Sequence, residues 1–232
     1  MASKYKLETR DERIERMHRD NQNRSLELCA IAVDRIWEKR RDLIVSRVPE
    51  RFKDASMADL GYLTDRIINA TEEMLKSPVH NDKVGIIFSG PAGSGKTHAA
   101  YALIKMLAEK NPESIAFMAS YSQALATLKG EIPSGISEEM GSTWDRLNNE
   151  SGMYDGILFV DDISSQKLTD FEIDKLTMIV EKRVNFYLPF LFTTNVKTSD
   201  FKNVFGERLA SRLFGYCEII EFEGRDRRLE EK

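Results

Sequence analysis

Apolar residues follow two different rhythms along this chain. Leu26, Cys29, Ala30, Val33, Ile36 and Trp37 recur at helical spacing, which predicts one amphipathic helix near the N-terminus. Val48-Pro49-Glu50-Arg51-Phe52 ends that pattern, because a proline removes a backbone donor and restricts the residue before it. A junction is expected there, between a helical N-terminal region at residues 1–47 and a larger domain at residues 48–232. A helix over residues 60–75 and a loop over 77–82 come next. Short, largely apolar runs at 84–88, 115–118, 156–160, 188–193 and 218–222 then alternate with helical stretches at 95–110, 122–129, 143–149, 170–185 and 200–213. Apolar strands interleaved with helices predict an α/β fold, its parallel sheet covered on both faces. Residues 130–141 read as an exposed loop.

Composition narrows the class without choosing a function. At 232 residues, 41% hydrophobic and 31% charged, the chain suits one α/β domain with a small appendage. No run is apolar enough to span a bilayer, and Met1-Ala2-Ser3-Lys4 opens onto alternating acids and bases. A cytoplasmic location and no membrane partner are therefore expected. Cys29 and Cys217 stand alone and His18, His80 and His98 are scattered, a pattern of neither disulfides nor zinc. A net charge of -4 gives no global attraction to nucleic acid, so any such binding needs a local basic surface.

Gly90-Pro91-Ala92-Gly93-Ser94-Gly95-Lys96-Thr97 changes that picture. It matches the P-loop pattern and lies where the mechanism needs it, after a strand and opening a helix. Its glycines allow backbone N–H groups to turn inward toward phosphate, and the helix N-terminus adds a favourable dipole. Lys96 is placed to reach the terminal phosphates of ATP, and the Thr97 hydroxyl to ligate Mg2+. His98, next along, is grouped with this nucleotide-binding segment. Ile157-Leu158-Phe159-Val160-Asp161-Asp162 is an apolar strand that delivers two carboxylates to the sheet edge. Asp161 is expected to hold Mg2+, and Asp162 to orient or deprotonate the attacking water.

Residues 188–228 resemble the second half of an AAA+ module of the DnaC/DnaI/IstB type, and the resemblance extends over most of the chain. It implies a P-loop AAA+ three-layer αβα sandwich. Asn195, in Phe192-Thr193-Thr194-Asn195, resembles the sensor 1 residue, which contacts the γ-phosphate or the attacking water. Residues 205–213 resemble the arginine-finger segment, with Arg208 or Arg212 acting on a neighbouring subunit. Gly224-Arg225-Asp226-Arg227-Arg228 resembles the closing signature and puts Arg228 in the sensor 2 position. Residues 48–59 resemble the entry segment, so that Arg51 and Phe52 line the adenine end. Asp162 departs from the usual glutamate, which implies slow turnover, and the chain implies an abbreviated lid.

Loaders of this family deliver a DnaB-type replicative helicase onto single-stranded DNA. The resemblance implies those partners, together with self-association through the arginine finger. The stripe from Leu26 to Trp37, followed by Lys39-Arg40-Arg41, suits either a partner's groove or packing on its own domain. Tyr121 and Lys129 are candidates for stacking on bases and pairing with phosphate. Two other tasks share the resemblance: regulation of transposition on duplex DNA, and ATP-gated inhibition of a helicase.

Overall fold

The computed structural model describes residues 29, 31–76, 83–129, 156–163 and 168–224. The expected loop at 130–141, the expected helix at 143–149 and Arg228 lie outside the described residues. Strands β1 (Gly85–Ser89), β2 (Ile115–Ser120), β3 (Ile157–Ile163), β4 (Phe190–Thr194) and β5 (Cys217–Glu221) form one parallel sheet in the order β2-β3-β4-β1-β5. The helices are α1 (31–46), α2 (Leu63–Leu75), α3 (Lys96–Lys110), α4 (Tyr121–Leu128), α5 (Asp170–Asn185) and α6 (Phe201–Tyr216).

Alternation along each strand divides the core into two layers. Leu158, Val160 and Phe192 pack with Ala124 of α4, Leu176 and Val180 of α5 and Leu209 of α6. Ile157, Phe159 and Leu191 point the other way, onto Ile67 of α2 and Leu103 and Ile104 of α3. The result is the expected αβα sandwich, with every strand residue of β1 and β4 buried. Burial on both faces explains why these strands read as largely apolar runs.

Local chemistry sets the element ends. α5 has the bounds expected for it because Thr169 and Glu172 form a capping box at its start. α2 starts later than residue 60. A separate 3-10 turn, Met57–Leu60, is closed by its own Ser56/Asp59 capping box, and Gly61 at φ 55 breaks the chain before the helix. α1 runs past Trp37 to residue 46. Its far end is anchored to the sandwich: Ile44 and Val48 join the α2–α3 core layer. Arg40 Nε and Nη2 donate to the carbonyls of Pro112 and Ile115 at 3.1 and 3.3 Å.

Candidate functional site

The site lies at the carboxyl edge of β1, β3 and β4, where parallel strands open into loops. β4 sits between β3 and β1, so Asn195, just past the end of β4, falls between the acidic strand and the P-loop. A cleft of about 590 Å³ runs along this edge, bounded by the P-loop, Asp161, Asp162, Thr193, Asn195, Arg51, Phe52, Asp59 and His98. That volume suits a nucleotide-sized ligand.

The P-loop depends on its glycines. Gly90, Gly93 and Gly95 have φ of 144, 74 and 98°, in the region that L side chains avoid. At Gly90 the constraint is also spatial: a Cβ there would lie 2.3 Å from the Phe222 carbonyl oxygen. Phe222 is held that close because its N–H donates to Ser89 O at 2.7 Å. Gly95 precedes α3 and gives it no side-chain cap, and nothing lies within 4 Å of where its Cβ would be. The first amides of α3 are thus left open toward the cleft, a cradle that fits an anion. Ser94 Oγ, buried in the same loop, has no hydrogen-bond partner among the described residues. Lys96 is 6% exposed and its Nζ donates to Gly90 O and Pro91 O at 2.9 and 2.7 Å, which folds the ammonium over the loop.

The carboxylates come from an irregular stretch of sheet. β3 pairs Val160 with Phe192, and then Ile163 with Thr194. Asp161 and Asp162 therefore face the single residue Thr193, which is a β-bulge. Asp162 takes φ 58 and turns out to solvent, while Asp161 stays 8% exposed. Thr193 Oγ1 donates to Asp161 Oδ1 at 2.6 Å and accepts from the Asp162 N–H at 2.7 Å. Asn195 Nδ2 donates to Asp162 Oδ1 at 2.9 Å. Burial raises the pKa of Asp161 above the ordinary carboxylate value, and the Asp162 charge adds to the rise. Hydrogen bonds from Thr193 and Thr97, with the Arg51 charge, oppose it. The contact with Thr97 brings together the two residues expected at Mg2+.

At the other end of the cleft, Phe52 stacks on Tyr101 with centroids 5.0 Å apart, and the Arg51 guanidinium lies 4.5 Å from the Phe52 ring centre. His98 Nε2 is 3.2 Å from Asp59 Oδ2. Burial pushes the Tyr101 hydroxyl up to about 12. The sequence reading assigned no role to Thr193, Asp59 or Tyr101. Thr193 stood inside the quoted Thr193-Thr194-Asn195 run, but only its place opposite the bulge sets it apart.

Arg208 and Arg212 do not line this cleft. Arg208 makes a two-pronged pair with Glu181 at 3.1 and 2.9 Å, and Arg212 Nε lies 3.6 Å from the same carboxylate. Tyr121 requires a correction. It is 8% exposed and packs within the core layer of α4 and α5, so its ring offers no face for a base to stack on. The helical pattern placed it after β2 but could not show that this position of α4 faces inward, beside exposed Ser122 and Gln123. Lys129, by contrast, is surface-lying, 3.8 Å from Glu172 of α5. On α1, Ile31, Val33, Ile36 and Trp37 are all exposed. Among the described residues no helix is long and apolar enough to cross a membrane.

A model of the IstB-like ATP binding protein family matches residues 39–232. The chain belongs to that family. Its fold is shared with the DnaC helicase loader, at 21% identity and TM-score 0.58 over 75% of this chain and 100% of that one. DnaI is similar at 21% identity and TM-score 0.55, covering 78% and 94% of the two chains. The replication initiator DnaA bound to AMPPCP and single-stranded DNA matches at 17% identity and TM-score 0.52, over 76% of this IstB-like chain and 55% of DnaA. No curated protein sequence matches significantly. The likeness in fold and the family match together make this IstB-like chain an AAA+ protein of the DnaC/IstB type.

Proposed function

We propose that this IstB-like protein is an ATP-dependent loader that delivers a DnaB-type replicative helicase onto single-stranded DNA. The observation that carries this reading is the pairing of a P-loop cleft with an apolar face on α1 that is exposed among the described residues, where Ile36 is 60% exposed beside a firmly anchored helix end. Likeness in fold to a helicase loader supports it.

In this reading the open amides of the P-loop and Lys96 bind the β- and γ-phosphates of ATP, and Arg51, Phe52 and His98 flank the base. Thr97 and Asp161 hold Mg2+, which supplies neutralising charge to the triphosphate when bound. Asp162 accepts a proton from the attacking water, and Asn195 fixes its carboxylate by the bond described above. The arginine that completes the site comes from a neighbouring copy, Arg212 or Arg208 of α6, and Arg228 takes the sensor 2 position. Asp162 reaches less far than a glutamate, which suits a slow ATP-timed switch.

The deciding experiment captures a purified DnaB-type helicase with this chain, with and without ATP and single-stranded DNA. ATP-dependent capture followed by helicase transfer to the strand is the expected result. Failure to bind any replicative helicase under all four conditions overturns the reading. The match to an IstB-like family is equally consistent with a second reading, ATP-dependent assembly on duplex DNA as a transposition regulator, and tighter ATP-dependent binding to duplex than to single strands would select it. A helicase that is bound but suppressed in an unwinding assay would mark an inhibitor.

A further inference from the structure

Two residues of β3 oppose one residue of β4 at the bulge, and that one residue touches both aspartates. Thr193 is 1% exposed. Its hydroxyl accepts from the Asp162 N–H at 2.7 Å, so its single proton is free to go only to Asp161 Oδ1, 2.6 Å away. The orientation of the hydroxyl is thereby fixed without choice. On its far side Asp162 is held a second time, by Asn195 Nδ2 at 2.9 Å.

Asp162 needs this support. Its φ of 58 places a residue with a Cβ in the left-handed region, a conformation that persists only where neighbours over-determine it. In a regular ladder successive side chains would alternate faces and Asp162 would be drawn into the strand's pleat. The bulge turns its carboxylate into the cleft instead, and the Thr193 hydroxyl bonds the amide that the irregular pairing leaves over.

We propose that Thr193 is a positioning residue: it pins the left-handed backbone of Asp162 and orients the Asp161 carboxylate at the same time, so that both acids face the cleft together. The consequence for turnover rests on the ATPase reading given above. The pinning itself does not.

The test compares Thr193→Val, which keeps the shape and removes the hydroxyl, with Thr193→Ser, which keeps the hydroxyl. Hydrogen exchange of the Asp162 amide, read by NMR without nucleotide, is expected to speed up by about tenfold or more in Thr193→Val, the loss of one buried hydrogen bond. It is expected to stay near wild type in Thr193→Ser. Single-turnover ATP hydrolysis should fall by about tenfold or more in the valine variant and recover in the serine one. Binding of a fluorescent ATP analogue in EDTA should change by less than about twofold, since the phosphate cradle is untouched. Unchanged exchange in Thr193→Val, wild-type hydrolysis despite faster exchange, or a serine variant as impaired as the valine one each overturn the proposal. If Thr193→Val does not fold, Thr193→Ala is read by the same criteria. A wild-type chain that binds no ATP sinks the ATPase reading alone, and the exchange of the Asp162 amide then decides whether Thr193 pins it.

Discussion

Asp161 holds its carboxyl group in a buried place, and that has a consequence for stability. Burial raises its pKa above the ordinary 3.8, so between those two values the folded chain holds a proton that the unfolded chain has released. Stability from this group therefore falls as pH rises through that window, and the deficit is complete above the folded value. Asp161→Asn is predicted to raise the Tm of nucleotide-free protein at pH 7 while abolishing Mg2+-dependent ATP hydrolysis. Thermal unfolding in EDTA, alongside a phosphate-release assay, measures both. A lower Tm for the variant would show that the bonds from Thr97 and Thr193 outweigh burial. Lys96 is the second residue-scale case: its ammonium caps the P-loop through Gly90 O and Pro91 O. In the proposed reading Lys96→Ala removes a charge-assisted contact to phosphate, about 1.5–3 kcal/mol. ATP affinity by calorimetry is predicted to drop by roughly 10- to 150-fold, with hydrolysis lost.

Between elements, one contact ties the sheet edge to the site and another joins α5 to α6. The β1–β5 edge brings the Phe222 carbonyl within 2.3 Å of a Cβ added at Gly90. Gly90→Ala must push this edge apart as well as strain its own φ, at an expected cost of about 1–3 kcal/mol, seen as a lower denaturation midpoint with an unchanged slope. The α5–α6 contact is organised by Glu181, which holds Arg208 and Arg212 on one carboxylate. Arg208 is 74% exposed, so the pair adds little stability, about 0–1 kcal/mol, and in the proposed assembly either arginine could leave it for a neighbouring subunit. Arg212→Ala is predicted to leave ATP affinity intact and cut oligomer-dependent turnover by about 10³. Wild-type turnover in that variant would remove Arg212 from the role and leave Arg208.

At the scale of the whole molecule, the family match begins at residue 39, just before the point where α1 is tied down by Arg40, Ile44 and Val48. The exposed residues Ile31, Val33, Ile36 and Trp37 lie before it. A truncated chain starting at residue 39 is predicted to keep its ATP affinity and a Tm within a few degrees, and to lose helicase capture. Equal capture by the truncated and full chains in the same pull-down would move the partner surface onto the sandwich.

The sequence alone determined the αβα class and the P-loop, because both rest on local signals: largely apolar runs of strand length, and glycines at fixed offsets before Gly95-Lys96-Thr97. The helix over 170–185 was legible from its local pattern for the same reason, and the structure adds the Thr169/Glu172 capping box that fixes its start. Tertiary structure decided the rest. The order β2-β3-β4-β1-β5 puts Asn195 between strands far apart in sequence, and no local pattern encodes which strands become neighbours. Burial of Tyr121 depends on how α4 lies on the sheet, and the pairing of Arg208 and Arg212 with Glu181 depends on two helices meeting. The bulge at Asp161 and Asp162 arises where β3 and β4 fall out of register, so Thr193 acquires its two partners through a long-range pairing that a string of residues cannot display.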